Sequence, residues 1–172
     1  MTDLFKLNNK NYQLENIYCF IDINNIENYL KRIETLEKEY KHQINIIIIK
    51  NRHIYNKNQL NWAIFTAKSR FVDNLNISKS MLTETLMIMS ITNQIKRISK
   101  DLLLTNNNND YYVNILSKNK IDLKQIIKSL DLKINKTNPK INMTEITKFY
   151  NLKNTKNIEN EIIEKMALSL YK

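Results

Sequence analysis

The chain of 172 residues contains no glycine, and this absence limits both its turns and its chemistry. A Walker-type phosphate loop, a dinucleotide-binding G-x-G-x-x-G turn and a G-x-S-x-G nucleophile elbow all require glycine, so the sequence excludes all three. Turns that need a positive φ must use asparagine or aspartate, which tolerate it better than other residues. We expect Asn-rich junctions such as Asn106 to Asp110 to be turns of this kind.

Short apolar runs predict a small β-sheet. Ile17–Ile21 and Ile44–Ile49 are rich in β-branched residues, as buried strands are, and Tyr111–Leu116 is a third candidate. The segment between the first two runs has helical spacing to about Tyr40, which predicts a crossover that leaves these two strands parallel. A short edge strand is expected at Leu132–Ile134 or, alternatively, around Ile141.

Apolar residues at helical spacing predict several helices, and polar pairs at capping distance mark some of their starts. The capping pairs are Asn24 with Glu27, Asp122 with Gln125, and Asn142 with Glu145. Helices are expected over about 24–40, 59–71, 80–89, 93–102, 122–130, 142–150 and 157–171. The fold class is therefore mixed α/β (α+β): one domain over residues 14–172, a small mixed sheet with helices packed on its faces, and residues 1–13 as an extension of the same domain.

Groups that could do catalysis or bind a metal are sparse. His42 and His53 are the only histidines and lack zinc-site spacing, while the single cysteine, Cys19, lies in an apolar run where a buried thiol is expected. The first residues, Met1 to Lys6, lack the apolar stretch of a secretory leader, so we expect no secretion, and no apolar run in the sequence is long enough to span a membrane. We predict no enzyme activity, no metal, no cofactor and no membrane partner, and a reducing compartment as the location.

A polar turn, Ser90 to Gln94, separates an apolar helix from an amphipathic one. Backbone N–H groups at such a helix start can hold a phosphate or a nucleotide. Lys79, Lys96 and Arg97 can share a face with the turn, and the alternative is that they form only a solvated rim. A stand-alone nuclease would instead need clustered carboxylates, and none stand out.

Glu84 lies between two leucines of the preceding helix. We expect its carboxylate to fix the Ser90 turn through hydrogen bonds rather than to take part in catalysis.

The last predicted helix carries an apolar stripe that is wider than a narrow packing seam needs. Its members are Ile158, Ile162, Ile163, Met166, Ala167 and Leu170. One part can pack on the domain while the rest contacts a partner, although core packing alone also accounts for the stripe.

The net charge is +10, from 27 Lys and Arg against 17 Asp and Glu. Such an excess attracts nucleic acid, an anionic membrane or an acidic protein. AT-rich coding, which enriches Lys, Asn and Ile, explains the same excess without any function.

An ordered set of segments carries a family resemblance. Gln59 to Ala67 has spaced alanines, Thr83-Glu84 is a T-E pair, Ser90 to Ile95 is a Ser-led turn that ends in an amide and Ile, and Asn142 to Leu152 matches N-I-T-E-V-x-K-x-Y-x-L. From about Leu14 onward the chain resembles the TPRKB family, the PRPK-binding subunit of the KEOPS (EKC) complex. Asn93 is similar to the eukaryotic S-P-x-N-N-I turn rather than the archaeal S-G-x-R-Q-I turn, although Ile91 matches neither.

The resemblance implies a non-catalytic subunit in the cytoplasm and nucleus that binds a small atypical PRPK-like kinase/ATPase. It also implies help in recruiting the 3′ CCA end of tRNA for threonylcarbamoyladenosine modification. The residues expected on the tRNA side are Lys79, Ser90, Asn93, Gln94, Lys96 and Arg97. Those expected on the kinase side are Ile162, Ile163, Met166 and Leu170. The alternative is a kinase-binding adaptor with no direct role in RNA binding.

Overall fold

The structure is a computed structural model that describes residues 2–91, 102–104, 109–137, 139–153 and 156–171. Its strands are β1 (Asp3–Leu7), β2 (Lys10–Ile21), β3 (Ile44–Lys50), β4 (Asn109–Ser117) and β5 (Lys133–Ile134). Its α-helices are α1 (Ile26–Glu39), α2 (Lys57–Val72), α3 (Met81–Ser90), α4 (Leu123–Ser129), α5 (Met143–Tyr150) and α6 (Ile158–Ser169), with a 3-10 helix at Asn51–His53.

The chain divides into two compact units. Unit 1 comprises Met1–Ile49 and Leu104–Pro139, and unit 2 comprises Lys50–Leu103 and Lys140–Lys172. The mixed α/β class predicted from the sequence is confirmed. Domain limits at residues 14 and 172 stay a prediction.

Unit 1 is built on an antiparallel sheet with the strand order β1-β2-β4-β3, and β5 also pairs with β2. β2 is antiparallel to β1, β4 and β5. The end of β4 meets the start of β3, because Lys118 N–H donates to the Gln43 carbonyl at 3.2 Å. β2 and β3 therefore run in the same direction, as the predicted crossover requires, but β4 lies between them.

Two helices cover one face of this sheet. The core of unit 1 joins apolar side chains of α1 and α4 to alternate residues of the three long strands. Its members include Tyr29, Ile33 and Leu36 of α1, Ile126 of α4 and Leu130 directly after it, and Cys19, Ile21, Ile46, Ile48, Tyr111, Val113 and Ile115 of the strands. Together with the order β5-β2-β4-β3, this is the split β-α-β arrangement.

Backbone turns follow the expectation for a chain without glycine, in part. Most described residues with positive φ are asparagine or aspartate: Asn8, Asn9, Asn74, Asp131 and Asn151, alongside Lys41, His42 and Ile91. Asn8 and Asn9 form the two-residue turn of the β1–β2 hairpin, where both central residues need positive φ. The first part of the junction predicted at Asn106 to Asp110, residues 106–108, lies outside the described residues. Its last two residues, Asn109 and Asp110, belong to β4.

In unit 2, α2 packs against α3 and α6, and α5 packs against the 3-10 helix. Buried Gln59 accepts a hydrogen bond from Tyr55 N–H at 2.7 Å and donates to the hydroxyl of Tyr150. That hydroxyl donates to the His53 carbonyl, and the His53 ring stacks on Phe149 at 4.0 Å between centroids. Burial raises the pKa of Tyr150, so this tyrosine stays neutral and links the two helices through hydrogen bonds.

Cys19 is fully buried in the core of unit 1, as predicted. Desolvation raises the pKa of its thiol to about 12, and the Asp110 carboxylate adds to the effect. The thiol is therefore protonated at neutral pH and packs as a small apolar side chain.

Some predicted element limits are wrong for local reasons. Asn25, not Asn24, caps α1, because the Asn25 side chain accepts from Asn28 N–H at 3.0 Å. β2 begins at Lys10 rather than at Ile17, since its first half is held by pairing with β1. The predicted helix 93–102 falls almost wholly outside the described residues.

The side chain of Glu37 caps the outer side of β3. Within the described residues β3 ends the strand order, and Ile46 N–H donates to a Glu37 carboxylate oxygen at 2.7 Å. An occupied N–H cannot pair with a foreign strand, so this contact protects an edge. Desolvation raises the pKa of Glu37 from 4.5, while the Ile46 hydrogen bond and His42 oppose the shift.

We expect Glu37→Gln to be more stable than the wild type at pH 7 by roughly 0.5 kcal/mol, since the amide oxygen still accepts from Ile46 and the partly solvated charge is gone. The pKa of Glu37 is raised in the folded state, so its charge destabilises the wild type only at pH values where the carboxylate is ionised. This destabilisation disappears as the pH falls through the raised pKa, and the wild type and Glu37→Gln should be equally stable below about pH 4.5. Urea unfolding from pH 4 to 7 measures this, with exposed Glu34→Gln as the control. A variant that loses stability only at pH 7 would contradict it.

Candidate partner-binding surface

The loop between α2 and α3 is held in place by the start of α3. The hydroxyl of Ser80 accepts from Thr83 N–H at 3.1 Å and so caps the helix. Within the loop, Leu75 N–H donates to the Arg70 carbonyl at 2.7 Å, and the Asn76 side chain donates to the Ser78 carbonyl at 2.8 Å. The loop is therefore an ordered segment with internal hydrogen bonds.

Glu84 is a buried carboxylate that organises this loop. Its side chain is 2% exposed and accepts from Arg70 Nε at 2.7 Å. The other carboxylate oxygen accepts from Ile77 N–H at 3.0 Å and from Ser78 N–H at 2.8 Å. A buried charge needs such compensation. The predicted structural role is present, but the turn that Glu84 holds precedes α3, whereas we expected the turn that follows it.

The residues predicted for RNA binding do not all come together. Lys79 is exposed one residue before the cap of α3, whereas Ser90 is the last residue of that helix. At about 1.5 Å of rise per residue, the helix separates them by roughly 14 Å. Ser90 is buried, and its hydroxyl donates to the Met87 carbonyl at 3.2 Å. The remaining four, Asn93, Gln94, Lys96 and Arg97, lie outside the described residues.

Ile91 ends α3 in a left-handed conformation, with φ 56° and ψ 25°. A β-branched side chain makes this conformation costly, by about 1–2 kcal/mol, whereas glycine and asparagine adopt it readily. Ile91 is also the residue that matches neither form of the family turn, and of the two family residues at this position glycine can adopt this positive φ whereas proline cannot.

The residues predicted for kinase binding divide by burial. Ile162 and Met166 are fully buried in the packing of α6, and they offer no surface to a partner in this structure. Ile163 and Leu170 are half-buried on the flank of the same helix. Core packing thus accounts for the centre of the wide apolar stripe and leaves its margin accessible.

Exposed apolar side chains that were not predicted lie in two segments of unit 2. Leu75 and Ile77 are each 62% exposed in the loop before α3, and Leu168 and Tyr171 are 56% and 89% exposed at the end of α6. A small cleft joins the two segments, and it is lined by Arg70, Ile77, Glu84, Met87, Ile88, Ser169 and Leu170. For Leu75 and Ile77 the sequence signal was an apolar residue flanked by Asn or Ser, which is weak because such residues often turn inward.

Two further observations on the described part of the chain concern metal sites and membrane-spanning helices. No group of three or more His, Cys, Asp or Glu side chains among these residues is placed to hold a metal ion. Likewise, none of the helices within the described ranges has both the length and the apolarity that crossing a bilayer requires.

The split β-α-β sheet and the small helical unit define a mixed α/β protein whose described exposed apolar residues suit docking to another protein. Residues 20–170 match the sequence profile of a family described as "Kinase binding protein CGI-121". The chain belongs to this family, and the resemblance noted in the sequence is confirmed. Comparison with curated proteins returned no significant match.

We expect Ile91→Gly to raise the free energy of unfolding by about 1 kcal/mol, because glycine removes the steric cost of the left-handed backbone. The matched control is Ile91→Val, which keeps the β-branch and shortens the side chain, and which should not stabilise the protein. Thermal or urea unfolding compares the three proteins. A valine variant that is more stable than the glycine variant would show that contacts of the side chain, and not the conformation of the backbone, determine the contribution of this residue to stability.

Proposed function

We propose that this protein is a non-catalytic regulatory subunit of a KEOPS (EKC) complex in the cytoplasm and nucleus. It binds the small atypical PRPK-like kinase/ATPase of the complex and helps recruit tRNA, by its 3′ CCA end, for threonylcarbamoyladenosine modification. The observation that carries the proposal is the match of residues 20–170 to a family of kinase-binding proteins. We name the KEOPS complex because of the segments that resemble the TPRKB family, whose members bind the kinase of that complex.

The end of α6 supports the kinase-binding part of the proposal. Ile162 and Met166 anchor the helix in unit 2, while Ile163 and Leu170 on its flank are half-buried and Leu168 and Tyr171 are exposed. Accessible apolar side chains at the end of one helix are a feature of sites that bind other proteins. Anchoring by the buried pair presents the exposed residues on a rigid helix, which lowers the entropic cost of binding.

The distribution of charge supports the tRNA-binding part. Unit 2 contains 15 of the Lys and Arg residues but only 7 of the Asp and Glu, whereas unit 1 contains 12 and 10. The basic excess is therefore concentrated in one unit, which a uniform coding bias does not predict. Cations in one region attract the phosphate backbone of RNA. Lys79, which we expect on the tRNA side because of its charge, is exposed in this unit.

A kinase-binding adaptor without an RNA role is the second candidate. It is favoured by Ser90, which is buried and whose hydroxyl donates to the Met87 carbonyl of its own helix.

Co-expression with the PRPK-like kinase of the same organism should give a complex that co-elutes in size-exclusion chromatography and persists after nuclease treatment. The physical reason is that an apolar docking surface does not depend on RNA. An unrelated small kinase is the control. Separate elution of the two proteins at micromolar concentrations would contradict the proposal for either candidate.

Lys79→Glu combined with Lys96→Glu should weaken tRNA binding and flatten its salt dependence by roughly one unit of log–log slope for each phosphate that is no longer neutralised. Fluorescence anisotropy from 50 to 200 mM salt measures both quantities. Lys31→Glu with Lys38→Glu, on the exposed face of α1 in unit 1, is the matched control.

Removal of the 3′ CCA from the tRNA should weaken binding in the same assay, although most phosphates remain. If charge reversal leaves affinity and slope unchanged, the adaptor without an RNA role is the better description. If only the response to CCA removal is missing, the protein binds RNA through non-specific charge.

A further inference from the structure

The loop before α3 presents apolar side chains to solvent on a fixed backbone. Leu75 and Ile77 are both 62% exposed, yet the backbone around them is held by hydrogen bonds at three N–H groups: Leu75 to the Arg70 carbonyl, and Ile77 and Ser78 to the Glu84 carboxylate. An exposed side chain on an ordered backbone binds a partner without a large loss of chain entropy.

The group that fixes the loop is a buried ion pair. The Glu84 side chain is 2% exposed and the Arg70 side chain 15% exposed, with Nε and the carboxylate 2.7 Å apart. Burying such a pair has a desolvation cost, and replacement by apolar residues is often neutral for stability. The pair therefore contributes little to the stability of the fold. Its main effect is to hold the N–H groups of Ile77 and Ser78 at one position.

The loop continues the exposed apolar surface at the end of α6. Ile77 lines the same small cleft as Ser169 and Leu170, and the chain neighbours of these two residues, Leu168 and Tyr171, are exposed. A partner that fits this surface has an apolar patch of its own.

We infer that the loop 75–77 is the second half of the kinase-docking surface that begins on α6, and that Glu84 and Arg70 are its positioning residues. This inference rests on the proposed function, because the kinase is the occupant. The family match names a kinase as the bound partner, and the loop is continuous with the accessible end of α6.

The first experiment measures kinase affinity by calorimetry for the wild type and for Leu75→Ser with Ile77→Ser. Because both side chains are exposed, the fold should be unaffected and the dissociation constant should rise at least about tenfold. The matched control is Leu4→Ser with Ile134→Ser, two exposed apolar residues of unit 1 at 73% and 54% exposure, which should leave the affinity unchanged.

The second experiment tests the positioning role through Glu84→Gln, which keeps the shape but leaves one acceptor oxygen where the carboxylate has two, so the Arg70 guanidinium and the loop N–H groups can no longer both be satisfied. We expect faster hydrogen exchange at Ile77 and Ser78 and a roughly fivefold weaker complex. The effect should be non-additive with Ile77→Ser, since both act through one loop, and additive with Leu168→Ser on α6. A role in stability alone would instead lower the free energy of unfolding of Glu84→Gln and leave the kinase affinity of the folded variant unchanged.

The outcomes are distinguishable. A wild type that does not bind the kinase overturns the proposed function and this inference with it. A wild type that binds, with a serine loop variant of normal affinity, overturns the inference alone. A serine loop variant that loses only a self-association seen by light scattering assigns the loop to a second copy of the chain and also overturns it. If Glu84→Gln does not fold, a double replacement, Glu84→Leu with Arg70→Met, tests positioning by the same exchange and affinity measurements.

Discussion

The pairing of β2 with β4 is the interaction on which unit 1 depends. The ladder extends from Gln13 opposite Ser117 to Ile21 opposite Asn109, so its partners are about 100 residues apart in the chain. Closing so long a loop has an entropic cost, which grows only slowly with length. The burial of Cys19, Tyr111 and the other core residues on one side of the ladder offsets that cost, and α1 and α4 complete the layer.

In unit 2, the irregular backbone is held by polar side chains that reach back from helices. Gln59 near the start of α2 accepts from Tyr55 N–H, and Glu84 near the start of α3 accepts from two N–H groups of the preceding loop. Both resemble a capping box, in which a Glu or Gln of the first turn bonds the chain before the helix. Since each side chain is buried, the hydrogen bonds do not compete with water, and the loops before both helices have one arrangement.

Periodicity predicted the regular elements well, and it failed where pairing or burial depends on distant residues. Ile44–Ile49 and Tyr111–Leu116 are apolar enough to identify strands by themselves, and the Asp122 and Asn142 caps follow from local hydrogen bonds. β1 was not predicted, because its residues alternate weakly and form a strand only by pairing with β2. Pattern alone also could not separate Ile162, which is buried, from Leu168, which is exposed, as both are apolar residues of one helix.

The buried state of Cys19 has a consequence for how the molecule can be studied. It is the only cysteine of the chain, its pKa is about 12, and none of its surface is exposed. A thiol in that state reacts extremely slowly with maleimides, because these reagents need an accessible thiolate. A cysteine introduced on the exposed end of α6 or on α1 would then carry a fluorophore or spin label at one defined place, with the native residue left intact.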